Sequence, residues 1–224
     1  MNTSDIQKQI KRFTLRNLNL FLLIGIFGLF FISPALETKT GKEFPETIFF
    51  TIIFLAAVIA VKAGNNRLLI AALIFSAYIW FDLLFLGDKT RYRLTFFLLI
   101  IYFVYIVIRL ISKVIKTENV TSNVIMEAIN IYLLIGIVGA LIFGLINYFI
   151  PGSIPAISSK TRQFNDYLYF SFVTLTTLGY GDISPVKQFA QSFAITLAIT
   201  GQFYITIVMA FLVSKFITSN TKEN

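Results

Sequence analysis

The stretch TTLGYGD, Thr176–Asp182, decides how the rest of the chain is interpreted. It places two glycines around a tyrosine, with threonines before them and a carboxylate after them. The residues on both sides are mostly apolar, and the 224-residue chain is 57% hydrophobic and only 13% charged. A soluble domain could not bury so much apolar surface. The composition therefore predicts an integral membrane protein.

The residue types that are missing exclude several classes of chemistry. The chain has no Cys and no His, which removes thiolate chemistry and the commonest general base and metal ligand. No catalytic constellation is present, so an enzyme is not expected. The net charge of +8 could indicate a nucleic-acid partner. In a membrane protein, basic cytoplasmic loops explain this charge better, and we expect no nucleic acid.

The apolar segments predict an all-α fold, because a spanning helix needs about 20 mostly apolar residues. Six segments qualify as transmembrane helices, the second of them being short: Leu18–Ala35, Thr47–Val61, Leu68–Leu86, Leu94–Leu110, Ile125–Ile150 and Phe189–Phe216. A half-apolar run, Asp166–Thr177, is too short to span and predicts a re-entrant helix.

The distribution of basic residues predicts the orientation. An even number of spans places both termini on one side, and most of the basic residues fall on that side, which indicates cytoplasmic termini. The loop GDKTRYR at residues 87–93 is an exception. Residues 1–16 combine a Ser4–Gln7 capping box with an apolar stripe. They fit a cytoplasmic amphipathic helix on the inner leaflet and a solvated basic tail about equally well.

The polar stretch has the features needed to bind a monovalent cation that has lost its water. Backbone carbonyls around a narrow axis can replace the water of such an ion. Successive carbonyls point the same way only if alternate residues adopt left-handed angles, which Gly179 and Gly181 do without a Cβ penalty. The Thr177 hydroxyl can add an oxygen at the inner end, and Tyr180 can wedge the strand against surrounding helices.

Residues Thr174–Asp182, TLTTLGYGD, resemble the filter sequence of tetrameric potassium channels, with Leu178 where Val or Ile is usual. A glycine-rich turn between two helices would not explain the half-length apolar helix before it. The resemblance implies a homotetramer around a central pore, in a lipid bilayer, that conducts K⁺ passively and needs no cofactor besides the ion. It also implies a selectivity-filter loop whose K⁺ sites are formed by backbone carbonyls and the Thr177 hydroxyl: Thr177, Leu178, Gly179 and Tyr180, with Gly181 completing the filter.

This resemblance covers about residues 124–216 and implies a domain organisation. A voltage-sensor-like membrane domain, 17–115, and a linker, 116–123, precede a pore domain over 124–218, and a tail follows at 219–224. Within the pore domain we expect an outer helix at 124–150, a turret at 151–165, a pore helix at 166–177, the filter segment at 177–182 and an inner helix at 187–216.

Several residues are expected to support the filter segment. Tyr169 and Phe170 supply an aromatic collar, and Thr176 precedes the filter. Val173 occupies a position where some prokaryotic relatives carry a glutamate that pairs with the filter aspartate. Asp182 therefore needs another partner, for which Tyr169 and a water molecule are the candidates.

The last helix contains a glycine and a candidate gate. Gly201 follows Asp182 by 19 residues and resembles the hinge glycine of channel inner helices. Close helix packing is the alternative reason for a glycine there. Met209, Val213 and Phe216 lie beyond it and can close the inner mouth by dewetting.

The first four helices resemble the architecture of the voltage-gated superfamily but lack its charges. The fourth helix reads LTFFLLIIYFVYIVIRL, with Arg91 and Arg93 before it, Arg109 near its end and no basic residue between them. Asp82 lies near the outer end of the third helix. We expect this domain to be electrically inert.

Two other functions fit the sequence less well. The ion-conducting subunit of a potassium uptake transporter usually carries four degraded filters in one long chain, whereas this chain carries one intact filter. A non-conducting membrane scaffold would not need a filter. The compact chain favours a bacterial inner membrane as the location.

Overall fold

The structure is a computed structural model that describes residues 19–40, 44–61, 66–85, 89–117, 120–155 and 164–221. The expected amphipathic segment at 1–16 lies outside these residues, as do residues 222–224 of the tail expected at 219–224. The described chain is helical apart from its connecting segments. Seven helices are described: α1 at residues 19–40, α2 at Phe44–Val61, α3 at Asn66–Phe85, α4 at Lys89–Lys116, α5 at Ser122–Phe149, α6 at Phe164–Leu175 and α7 at Gln188–Thr221.

Four of the described helices are long and apolar enough to cross a membrane. These segments are Asn19–Leu36, Phe97–Lys116, Ser122–Phe149 and Gln188–Lys215. Shorter apolar segments, Ile48–Ala57 and Ala72–Phe81, lie within α2 and α3, where the second and third spans are expected. The apolar helices support an integral membrane protein, and the count of six spans stays a prediction.

The chain divides into two compact units. One unit combines the described parts of Met1–Asp88 with Thr121–Asn130, and the other combines those of Lys89–Val120 with Ile131–Asn224. The linker expected at 116–123 stays a prediction as a domain boundary.

The first unit packs α1, α2 and α3 through aromatic and small side chains. Gly28 lies in a π-helical turn of α1, Gly28–Ile32, and a Cβ there would lie 2.2 Å from the ring of Phe49. The indole Nε1 of Trp80 donates a 3.0 Å hydrogen bond to the Thr51 hydroxyl, which joins α3 to α2. A close contact at a small residue and an interhelical hydrogen bond are the interactions that hold membrane helices together, because apolar side chains alone do not distinguish a neighbouring helix from lipid.

A polar cluster is buried in the same unit. The Asn19 amide donates a 3.1 Å hydrogen bond to the Glu127 carboxylate, and the Asn130 amide donates a 3.0 Å bond to the Asn19 carbonyl. All three side chains are buried. Buried polar groups in an apolar environment need such partners, so the cluster fixes how the start of α5 packs within this unit.

The second unit surrounds the short helix α6 with α5 and α7. Gly136 and Gly139 on α5 face α6, because a Cβ at these positions would lie 2.2 Å from the Phe172 ring and 2.4 Å from the Ser171 hydroxyl oxygen. The Ser171 hydroxyl donates a 2.7 Å bond to the Gly136 carbonyl. The Phe143 ring on α5 also contacts the rings of Phe170 on α6 and Phe193 on α7, with centroid distances of 4.6 and 4.8 Å. Small residues therefore let α6 approach α5 closely.

Candidate functional site

The helix α6 brings the chain to the start of the filter segment. It spans 12 residues, Phe164–Leu175, and carries Asp166 in its first turn, where a carboxylate complements the helix dipole. Val173 and Leu175 are buried, so the end of the helix is anchored. The amides of Leu178 and Gly179 then both donate to the Val173 carbonyl, at 3.0 and 3.3 Å. These bonds attach the first residues of the filter segment to the last turn of α6.

The backbone of the filter segment alternates in hand. The angle φ is +58° at Thr177, +58° at Gly179 and +80° at Gly181, but it is not positive at Leu178 or Tyr180. The left-handed angles expected at the two glycines are thus confirmed. Thr177 shares the left-handed angle, although a β-branched residue rarely adopts a positive φ. A Cβ at either glycine would meet no atom of the chain within 4 Å, so both face open space.

The large side chains of the filter segment are exposed in the single chain. Leu178 and Tyr180 are 55% and 67% exposed, which is unusual for large apolar and aromatic residues. The Thr176 hydroxyl donates a 2.7 Å bond to the Phe172 carbonyl at the end of α6. The filter segment is therefore held from one side by α6 and exposed on the other.

The outer end of the filter segment is held by Tyr169. Its hydroxyl donates a 2.6 Å hydrogen bond to the Asp182 Oδ2. Of the two partners expected for Asp182, the structure has Tyr169. The bond lowers the pKa of the Asp182 carboxyl and, with desolvation and the Asp182 charge, raises the pKa of Tyr169 to about 12. The carboxylate and the neutral phenol are the forms that make this bond, and both are favoured at neutral pH.

The described start of the expected turret contacts the segment that follows the filter segment. The Asn147 amide donates a 2.8 Å bond to the Tyr167 hydroxyl, while the Asn147 Oδ1 accepts a 3.4 Å bond from the Ile154 amide. The carbonyl of Ser153 accepts a 2.9 Å bond from the Val186 amide. These bonds tie the end of α5 to α6 and to the segment that enters α7.

Gly201 lies where α7 contacts the end of α6. A Cβ at this position would lie 2.2 Å from the Leu175 carbonyl oxygen and 2.9 Å from the Leu175 Cδ1. Of the two reasons considered for this glycine, close packing has direct geometric support. Its role as a hinge stays a prediction.

The next residue on α7 reaches the filter segment itself. The Gln202 side-chain amide donates a 3.1 Å hydrogen bond to the Thr177 hydroxyl oxygen. The Thr177 hydroxyl in turn donates a 2.7 Å bond to the Thr176 carbonyl. The inner end of the filter segment is thus connected to α7 as well as to α6.

The candidate gate residues lie on the C-terminal part of α7. Met209 and Val213 are 56% and 51% exposed in the single chain. Phe216 belongs to the same helix, but its side chain lies outside the described residues. In the same part of α7, the Lys215 ammonium lies 4.4 Å from the centroid of the Phe211 ring and donates to the carbonyls of Ile115 and Thr117. A cation at the C-terminal end of α4 is favourable for its helix dipole.

Sequence reasoning missed several residues that position this site. Gly136 and Gly139 are small residues in an apolar span, and small residues are enriched where membrane helices approach one another closely. Asn147 and Gln202 are amides in apolar helices, which is itself a signal because such groups are costly in lipid. The sequence could not reveal which partner each of them contacts.

Comparison with known proteins agrees with this geometry. Residues 131–218 match a protein family described as "Ion channel". A 65-residue stretch, 29% of this chain, is 37% identical to "Two pore potassium channel c" of Oryza sativa subsp. japonica and covers 14% of that protein. A 56-residue stretch, 25% of this chain, is 38% identical to "Two-pore potassium channel 3" of Arabidopsis thaliana and covers 13% of it.

These matches are local, since they span about one seventh of each relative's length. No solved structure significantly matches the chain. The ion channel match and the potassium channel relatives support a potassium channel family, and they point to a channel rather than an enzyme.

Proposed function

We propose that the chain forms a potassium-selective channel, which conducts K⁺ passively through a filter of backbone carbonyls. The observation that carries this proposal is the alternation of φ, which is positive at Thr177, Gly179 and Gly181 and not at the residues between them. This alternation turns successive carbonyls of a strand to the same side, where they can replace the hydration shell of a cation. The relatives named as potassium channels support K⁺ as the ion.

The proposed K⁺ sites use the carbonyls of Thr177, Leu178, Gly179 and Tyr180, completed by Gly181. The Thr177 hydroxyl adds an oxygen at the inner end. Dehydration of an ion costs far more than thermal energy, so selectivity requires that these oxygens stay in fixed positions. The bonds from Leu178 and Gly179 to Val173, and from Tyr169 to Asp182, fix both ends of the filter segment. Thr176 and Phe170 support it through α6.

A homotetramer around a central pore follows from this mechanism. One chain supplies one filter segment, and a ring of carbonyls requires several copies. The exposure of Leu178 and Tyr180 in the single chain agrees with a filter segment that is completed by neighbouring subunits. Many apolar side chains of α7 are also exposed, among them Phe203, Ile207 and Met209. In a tetramer these side chains would line the pore or contact adjacent subunits.

The remaining features of the proposal concern the membrane. Six spans, the second of them short and either little tilted or extended by flanking residues, place both termini on the cytoplasmic side. The four-helix domain over 17–115 acts as a sensor-like scaffold without gating charges, since α4 has no basic residue between Arg93 and Arg109. A bacterial inner membrane is the location proposed from the sequence, although the relatives named above are plant proteins.

A pair of glycine substitutions tests this function. Gly179 and Gly152 both have positive φ, +58° and +76°, and a Cβ at either would meet nothing within 4 Å. Gly179→Ala and Gly152→Ala therefore impose similar backbone strain, but only the first lies in the filter segment. We expect Gly179→Ala to abolish K⁺-selective current while Gly152→Ala retains it. K⁺ over Na⁺ selectivity that persists in Gly179→Ala would contradict the carbonyl filter.

The transporter-subunit alternative is not favoured, because the matched relatives are named as potassium channels. The rate of K⁺ passage per protein would distinguish a channel from a transporter, because a channel passes ions much faster than a transporter completes its cycle.

A further inference from the structure

Gln202 on α7 contacts Thr177, the residue at the inner end of the filter segment. The Gln202 Nε2 lies 3.1 Å from the Thr177 Oγ1. The contact depends on the preceding residue, because Gly201 has no side chain and so lets α7 touch the Leu175 carbonyl at the end of α6. This close approach brings the neighbouring amide within reach of the filter segment.

The Thr177 hydroxyl has a limited set of bonds to make. It carries one hydrogen and two acceptor lone pairs. Its hydrogen is directed at the Thr176 carbonyl, 2.7 Å away. One lone pair accepts the Gln202 amide hydrogen. One lone pair is left, and its direction is fixed by the other two bonds.

The amide side chain of Gln202 is hard to explain unless this contact has a role. Gln202 stands in an apolar span and is exposed in the single chain. Polar side chains in such spans are costly and are found where they contact a partner or an aqueous cavity. The neighbouring hydroxyls on this helix, Thr196 and Thr200 among others, bond back to carbonyls of their own helix, whereas the Gln202 side chain reaches the filter segment 25 residues away.

We propose that Gln202 is a positioning residue for the innermost cation site of the filter. It holds the Thr177 hydroxyl so that the remaining lone pair faces a dehydrated monovalent cation. This inference rests on the proposed channel function. In a tetramer, four Gln202 amides would fix four hydroxyls at the same site. Loss of the amide leaves each hydroxyl with one bond instead of two, so it can rotate away from the ion.

The substitution Gln202→Met tests this role, because methionine has nearly the same length and no hydrogen-bond donor. The probe is Ba²⁺, a divalent cation of nearly the same radius as K⁺, applied to the inner side of the full-length channel in planar bilayers. An ion entering from that side meets the innermost site first. We expect the apparent affinity for Ba²⁺ to fall about tenfold, since each lost bond contributes modestly and four act together. Gln191→Met, the same change at the outer end of α7, should leave the block unchanged.

Testing Gln202→Met in a second variant of the channel separates a positioning role from a general structural effect. Thr177→Ala removes the hydroxyl that Gln202 is proposed to hold, so Gln202→Met should have no further effect on Ba²⁺ block in that background. Thr177→Ser keeps the hydroxyl and should preserve the sensitivity to Gln202→Met. If Gln202→Met does not assemble, Gln202→Leu serves in its place.

Three results would overturn the inference. Wild-type channels that conduct K⁺ while Gln202→Met leaves Ba²⁺ block unchanged would show that the amide does not act on the ion site. An equal change in the Thr177→Ala background would show that it acts independently of the hydroxyl. Absence of any K⁺ current in the wild-type chain would overturn the proposed channel function, and this inference with it.

Discussion

The Tyr169 hydroxyl lies 2.6 Å from the Asp182 Oδ2 and joins the middle of α6 to the outer end of the filter segment. The two residues stand 13 positions apart, and the whole filter segment runs between them. Val173, which lies one turn further along α6, is buried and cannot form the carboxylate pair of some channel relatives. In the structure, Asp182 is instead held by one phenol–carboxylate bond.

Replacing Tyr169 with phenylalanine removes this bond and keeps the ring. We expect K⁺ current in Tyr169→Phe to decay several-fold faster during sustained opening, because the outer end of the filter segment loses its hydrogen-bond tether. Recordings in planar bilayers measure the decay. Tyr105→Phe, at an exposed position on α4, is the matched control and should behave as wild type. Identical decay in Tyr169→Phe would contradict the tether.

The same pair predicts a pH profile. The pKa of the Asp182 carboxyl is lowered in the folded chain, so the bond contributes at any pH above its ordinary value of about 3.9 and is lost as the pH falls through the lowered value. The pKa of Tyr169 is raised to about 12, so the bond is lost only as the pH rises towards that value. We expect its contribution to thermal stability in detergent to stay constant between about pH 5 and 9.

The difference in unfolding midpoint between wild type and Asp182→Asn isolates that contribution. A difference that titrates near neutral pH would contradict the assignment of the bond to an ionised Asp182 and a neutral Tyr169.

Gly201→Ala tests whether packing explains the glycine on α7. The added Cβ would lie 2.2 Å from the backbone oxygen of Leu175, which cannot move without displacing the end of α6. We expect a loss of about 1–3 kcal/mol in stability, as for other overpacked contacts. Chemical or thermal denaturation measures it, with Thr200→Ala as the neighbouring control. Unchanged stability combined with altered opening would favour the hinge instead.

The sensor-like domain is expected to carry little gating charge. A charge that crosses the whole field contributes about 2.3 kcal/mol per 100 mV, and steep gating needs several in each subunit. Arg91 and Arg93 precede the fourth span in the sequence, and Arg109 lies near its end. We expect Arg91→Gln and Arg93→Gln to leave the conductance–voltage curve nearly unchanged. A steep curve that flattens in these variants would contradict an inert domain.

The parts of the site that follow from backbone sterics were predictable from sequence. Gly179 and Gly181 are placed where only glycine avoids a Cβ penalty, and both adopt positive φ. The positive φ of Thr177 was not predictable, because its residue type disfavours that angle. There the turn imposed by the bonds to Val173 and the hydroxyl contacts outweigh local preference.

The contacts that residues make with other helices were harder to predict than the helices themselves. The sequence predicted a short helix at 166–177, and the structure has α6 at Phe164–Leu175. For Gly201 the sequence left packing and hinge open, because a glycine in a helix does not reveal its neighbour. The contact of Gln202 with Thr177 was missed for the same reason, since residues 25 positions apart meet only after α7 packs on α6.

The most direct measurement is a flux assay on the purified full chain in liposomes, which compares K⁺ and Na⁺ gradients with and without a pore-blocking cation. The account predicts fast K⁺ flux that the blocker stops, little Na⁺ flux, and no selective flux in Gly179→Ala. Equal passage of K⁺ and Na⁺, or no K⁺ flux even when the inner mouth is opened by Val213→Asp, would contradict a selective potassium channel.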